Sequence, residues 1–244
     1  MSEPARLLKV GELDLTFEPS RWAFAERQAA SIAAHWARLR QGKPSLFNGR
    51  VLLLGQREIE TRRDGVLKLK GVYFETDYAD FLAWADFGHP GEPVDNCFSM
   101  AALRTADGAF LLGEMAQHTF NAGQIYFPAG TPDPTDVFEG KVDLEASVRR
   151  ELLEETGVKA GETIMASGWT LAFTPQRIAC MKLMTLPVGA ARAKARIEAY
   201  LAQDAHAEFS RMHIIRSPRD IDETRVPIFV AAYLRAAFAQ RSTG

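Results

Sequence analysis

The 244-residue chain is poor in cysteine, in histidine and in charge of one sign, and it holds no long apolar run. Its two cysteines, Cys97 and Cys180, form no CxxC pair and no disulfide framework. The five histidines show no HxH or HExxH spacing, which argues against a zinc site. Lys and Arg total 29 against 31 Asp and Glu, a net charge of −2. That balance gives no global pull toward nucleic acid or an anionic membrane, so neither is expected as a partner. No segment approaches the ~18 consecutive apolar residues of a membrane span. The opening residues MSEPARLLKVGELDL are too charged for a signal peptide, and with so little cysteine the expected location is a reducing cytoplasm.

What is there fits an ordinary globular protein: 47% of residues are hydrophobic and 25% charged. The length suits one large domain or two small ones. Leu13, Leu15 and Phe17 alternate with polar residues, as in a strand, and Trp22 to Leu39 has helical spacing. Val51–Leu54 and Leu67–Val72 read as strands around a turn at 57–65, and Tyr78–Trp84 as a short helix. The turn-rich segment at 88–93 marks a division: an N-terminal α+β extension, 1–93, and a second domain, 94–244. In that second part, 98–104 and 109–114 read as a hairpin, followed by a short strand at 125–127 and a polar loop at 131–141. A helix at 144–156 follows, then strands near 163–173, 178–186 and 213–215, and helices near 190–203 and 226–240.

The 144–156 helix carries the chemistry. Glu151, Glu154 and Glu155 stand at i, i+3 and i+4, which puts three carboxylates on one face. Such a cluster repels itself unless a cation sits among it, and hard Mg²⁺ prefers oxygen ligands of this kind. Arg149 and Arg150 also allow a plain solvated salt-bridge face. Asp143 is a good N-cap and Gly157 a good left-handed C-terminal residue.

The run RELLEETGV, Arg150 to Val158, fits the pattern REUxEExGU, with U aliphatic, that closes the Nudix box. Five fixed residues in that order recur by chance roughly once per million windows at average usage. The chain therefore resembles the Nudix hydrolase superfamily over roughly 95–240; Ala106–Leu112 looks like the family's early hairpin and Phe127–Gly130 like the turn that opens the box. There are departures. Gly130 precedes Arg150 by twenty residues, about six more than in the compact motif. Val142 stands where the family has a glutamate that supports the arginine, with Glu139, Asp143 and Glu145 as candidate substitutes.

The resemblance implies an α/β/α sandwich with a mixed sheet, carrying the small N-terminal α+β domain beside it. It implies a pyrophosphohydrolase acting on a nucleoside diphosphate linked to a group X. Glu151, Glu154 and Glu155 would hold Mg²⁺ or Mn²⁺, Arg150 would orient a carboxylate, and Glu208 is the candidate for a further acid from a later loop. Tyr126, Gly130 and Arg177 are the candidate substrate-binding residues, and a nucleotide the expected small-molecule partner; a homodimer is compatible with the sequence. His206, near Glu208, is a candidate proton carrier or an exposed loop histidine. LeuPheAsnGly at 46–49, TyrAlaAspPhe at 78–81, the stretched box and HisAlaGlu at 206–208 together look like the UDP-glucose/UDP-galactose hydrolase branch. The alternatives are a housecleaning nucleotide pyrophosphatase, a coenzyme A pyrophosphatase, and a nucleotide-binding Nudix module without catalysis. Gly123–Pro128 matches the coenzyme A pattern, but 113–122 lacks its arginines.

Overall fold

Near-continuous apolar strands, buried on both faces, build the central layer. In the computed structural model, which describes residues 4–44 and 46–241, the strands are β1 (Arg6–Val10), β2 (Glu12–Phe17), β3 (Arg50–Thr61), β4 (Leu67–Asp77), β5 (Asn96–Thr105), β6 (Phe110–Met115), β7 (Ile125–Tyr126), β8 (Ala129–Gly130), β9 (Val137–Phe138), β10 (Lys141–Val142), β11 (Ile164–Met165), β12 (Trp169–Thr174), β13 (Arg177–Leu186) and β14 (Phe209–Ile215). The helices are α1 (Ala23–Gly42), α2 (Tyr78–Asp86), α3 (Leu144–Thr156), α4 (Ala190–Leu201) and α5 (Ile228–Arg241). The ends of the sequence-based division, 1–3 and 242–244, lie outside the described residues. No helix among the described residues is long and apolar enough to cross a membrane.

The main sheet runs β1-β12-β13-β5-β6-β14, with the short strands β7, β8 and β11 attached. It is mixed: β13 pairs β5 in parallel and β12 antiparallel. Period-two alternation on β5 splits its side chains between two cores. Cys97, Ala101 and Leu103 pack with Leu144, Val148 and Leu152 of α3 and Ile197 of α4. Phe98, Met100 and Ala102 pack with Val230, Leu234 and Phe238 of α5. Helices therefore flank both faces, and the fold is an α/β/α sandwich with an N-terminal β/α part.

That N-terminal part is a second sheet, β3-β4-β2-β10-β9. Leu15, Leu52, Leu69 and Tyr73 share the core on the α3 side, and the Tyr73 hydroxyl donates to the Cys97 carbonyl at 3.0 Å. On its other face Leu53 and Phe74 pack with Trp22 and Phe24 at the start of α1 and with Trp84 of α2. Strand pairing crosses position 93 in both directions. β1 joins the main sheet through β12, and β10, from the 131–141 loop, pairs with β2 at Lys141 and Thr16.

Several elements differ from the sequence reading. β3 continues to Thr61, because Arg57–Glu60 is a charged stretch on an edge strand, not a turn. The polar 131–141 loop holds the β9–β10 hairpin, two-residue strands too short to show a period. The strand expected at 213–215 begins at Phe209.

Glu114 on β6 ties three segments together. Its Oε2 accepts from Arg211 Nε at 2.8 Å and Arg225 Nη1 at 3.0 Å, and lies 2.8 Å from His213 Nε2. Burial would raise this carboxyl, but the bonds from Arg211 and His213 and the charges of Arg211 and Arg225 outweigh it and hold it at about 2. An unfolded glutamate titrates near 4.3. The folded value is depressed, so the stabilisation is full above the unfolded value and is lost as pH falls through about 2. Glu114→Gln is expected to lower Tm at pH 7, with the deficit shrinking between about pH 4.3 and 2. Thermal unfolding of both proteins across that window checks it; a constant deficit would refute the linkage.

Candidate active site

Local chemistry starts and stops α3 as the sequence suggests. Asp143 Oδ1 accepts from the amides of Glu145 and Ala146, both at 2.9 Å, and Gly157 ends the helix with φ of 67°. Buried Val148 and Leu152 fix the helix on the sheet and turn the opposite face outward.

On that face Arg150 is a hub. Its Nη1 donates to Glu151 Oε1 at 2.8 Å and lies 3.6 Å from Glu154 Oε2. Its Nη2 reaches both oxygens of Asp136, at 3.1 and 3.0 Å. Asp136 lies in the stretched loop; its carboxylate is almost fully buried and also accepts from the Asp133 amide at 3.1 Å. None of the three candidate substitutes takes this place. Glu139 sits in the tight hairpin turn with φ of 48°, Asp143 caps the helix, and Glu145 pairs with Arg149 and Lys182. Val142 is buried in the core. Sequence spacing missed Asp136 because its signal is a contact fourteen residues away, closed by a loop of irregular length.

Glu155 is buried and accepts from the Ala129 amide at 2.8 Å. Burial pushes its carboxyl well up, and the charges of Glu208 and Glu151 add to this. Burial likewise raises Glu151 to about 7, with Arg150 opposing and Glu154 and Glu208 adding. Glu208 is raised by partial desolvation; His118 opposes and Glu154 adds. Glu154 is exposed. Four carboxylates, three from α3 and one from the segment before β14, thus repel one another. Among the described residues, no group of three or more His, Cys, Asp or Glu side chains is gathered to hold a metal ion as it stands. The donor set nevertheless suits a hard divalent cation: it is all oxygen, anionic and mutually repulsive.

Gly130 completes this wall by lacking a side chain. A Cβ there would lie 2.2 Å from Glu151 Oε1. Gly130→Ala is expected to displace the Glu151 carboxylate and cut turnover at least about tenfold, since small misplacements at a reacting centre are costly. Steady-state kinetics beside a thermal melt checks it; unchanged turnover would show that Glu151 has room to move.

Tyr126, Gly130 and Arg177 line one pocket of about 180 Å³, with Asn96, Phe98 and Phe229. The Arg177 guanidinium lies 5.4 Å from the centre of the Phe229 ring. Tyr126 accepts from Asn121 Nδ2 at 3.1 Å. Burial raises its phenol, and the charges of Glu155 and Glu208 add, so Tyr126 lies between pocket and carboxylates. Asn96 is buried, and its Oδ1 has no partner among the described residues. Nothing in the sequence marked Asn96, which opens an apolar strand. His206 is exposed, and its ring meets His118 edge-on at 6.3 Å; His118 acts on Glu208.

Residues 97–181 match the family model described as NUDIX domain. The matched segment runs from β5 into β13 and includes α3, so this part of the chain is a Nudix domain, which supports classification as a Nudix pyrophosphohydrolase-type enzyme. Among solved structures, the chain is similar to the Nudix hydrolase RenU from M. smegmatis, at 12% identity over 60% of this chain and 84% of that one, TM-score 0.40. It is similar to the MutT protein from Methanosarcina mazei Go1, at 16% identity over 59% and 94%, TM-score 0.40. It is also similar to a NUDIX hydrolase from Nitrosomonas europaea, at 17% identity over 62% and 90%, TM-score 0.35. No curated protein matches the chain in sequence.

Proposed function

We propose that the chain hydrolyses the pyrophosphate bond of a nucleotide sugar such as UDP-glucose, within the broader class of nucleoside diphosphates linked to a group X. The observation that carries the hydrolase reading is the α3 face, where Arg150 gathers Asp136, Glu151 and Glu154 while Glu155 is fixed on the Ala129 amide. Glu151, Glu154 and Glu155 would hold Mg²⁺ or Mn²⁺. When bound, such a cation neutralises charge on the diphosphate. Arg150 positions the carboxylates and does not contact substrate. Glu208 faces the same space, and its raised carboxyl suits proton transfer with water. Tyr126, Gly130 and Arg177 bind the part of the substrate beyond the reacting phosphate.

The nucleotide-sugar reading draws support from the way the short motifs meet. Asn48 Oδ1 of LeuPheAsnGly accepts from the Ala79 amide at 2.8 Å, and the Gly49 carbonyl accepts from the Tyr78 amide at 2.8 Å. The Tyr78 phenol is raised by burial and by the charge of Glu208, which follows His206 and Ala207. Three separated pieces of sequence therefore lie near one another on the Glu208 side of the carboxylates.

The test is a panel of UDP-glucose, UDP-galactose, ADP-glucose, dinucleoside polyphosphates and coenzyme A with Mg²⁺ or Mn²⁺. Phosphate is read after phosphatase coupling, with chelator as control. A UDP-sugar is expected to show the highest kcat/KM. Preference for another member would replace the substrate assignment, and silence across the panel with both metals would favour a non-catalytic module.

A further inference from the structure

A cavity larger than the Arg177 pocket lies under the far end of α5. Phe229, near the start of α5, lines the Arg177 pocket, whereas Tyr233, Ala237 and Gln240 line this second cavity of about 510 Å³. Its floor and far wall come from β1, β12 and β13, with Leu7, Met181 and Leu183 among the apolar surfaces. Lys9 and Arg104 are its charged residues, and no Asp or Glu lines it. Arg104 donates one long bond, 3.3 Å, to Thr185 Oγ1, and no carboxylate pairs with it among the described residues. Tyr233 is only 6% exposed. Its ring is fixed edge-on against Phe110 and Phe127, at 6.1 and 5.9 Å, and its hydroxyl has no hydrogen-bond partner among the described residues.

Arg104 has no counter-charge and the Tyr233 hydroxyl has no partner among the described residues, so both can donate into the cavity. One anionic head satisfies both, because guanidinium and phenol each donate. The hydrocarbon walls select an apolar body behind that head. We propose that this cavity is a second small-molecule site, which takes an organic anion with an apolar body. Arg104 and the Tyr233 hydroxyl hold its carboxylate, and Leu7, Met181 and Leu183 cover its hydrocarbon. The site is separate from the pyrophosphate chemistry: Arg104 and Tyr233 face the α5 side of the sheet, and α3 packs on the other side.

The test titrates the full chain with octanoate and with octanamide, its uncharged counterpart, by calorimetry. Octanoate is expected to bind at one site per chain and at least about tenfold more tightly than octanamide. Arg104→Met is expected to remove that difference, and Tyr233→Phe to weaken octanoate severalfold. Arg177→Met, in the other pocket, is expected to leave octanoate binding unchanged. Turnover of the best nucleotide substrate and Tm of Arg104→Met should stay at parental values. The proposal is overturned by equal affinity for octanoate and octanamide, by no saturable octanoate binding at millimolar concentration, or by loss of binding in Arg177→Met. Should Arg104→Met fail to fold, the octanoate and octanamide pair on the parental protein still decides.

Discussion

Glu154→Gln is expected to lower kcat at least about a hundredfold at saturating Mg²⁺ while leaving Tm within about 2 °C of the parent. The two halves of that result rest on separate observations. The Glu154 side chain is 59% exposed, and its ion-pair partner, Arg150, stands 3.6 Å away. An exposed pair of that length contributes little to folding. Glutamine keeps the size and helix propensity, so packing does not change. What changes is one negative charge, three residues from Glu151 and next to Glu155, on the face assigned to a divalent cation and the diphosphate. A charge that matters only for catalysis loses turnover without stability. The measurement is kcat on the best substrate of the panel, at several Mg²⁺ concentrations, beside a thermal melt. Near-parental turnover at saturating metal would make Glu154 a surface residue and remove it from the site. A loss rescued by more Mg²⁺ would place its effect in cation affinity rather than in the chemical step.

How far such a site can be read from sequence depends on how local its causes are. α3 was legible because each of its causes is short-range. Apolar residues recur with the helix period, Asp143 caps the first amides, and Gly157 takes a left-handed conformation that other residues avoid. The hairpin of β5 and β6 was legible for the same reason: short apolar runs stand on both sides of the AlaAspGly turn. Tyr126, Gly130 and Arg177 line one pocket, and no local rule unites three residues so far apart in the sequence. Asp136 and Asn96 were not legible. Asp136 matters through a contact that a loop of irregular length closes, and Asn96 is an amide whose oxygen has no partner, which only burial reveals. The exchange of strands between the two sheets was hidden too. β1 and the β9–β10 hairpin are ordinary short segments until their partners, β12 and β2, are known.

That exchange changes what the stretched loop is for. Shortening 131–141 by six residues would bring the loop to compact length. In the fold the same loop carries β9 and β10, which tie the two sheets, and Asp136, which holds Arg150. Deletion would confound stability with selection, so the sharper experiment is the single change Asp136→Asn. It keeps the shape, and one oxygen can still accept from Arg150, but the charge and one bidentate contact are lost. The Asp136 side chain is 3% exposed and that of Arg150 32%, so the pair is shielded from water on one side only. Breaking such a pair is expected to cost about 2 kcal/mol, less than the full penalty of a completely buried charge. Arg150 then leans on Glu151 and Glu154 alone and draws them from their places on the α3 face, so kcat should fall at least about tenfold. Urea unfolding and steady-state kinetics on the same preparation separate the two effects. Loss of stability with parental kcat would show that Glu151 alone sets the guanidinium, and that Asp136 serves the loop rather than the carboxylates.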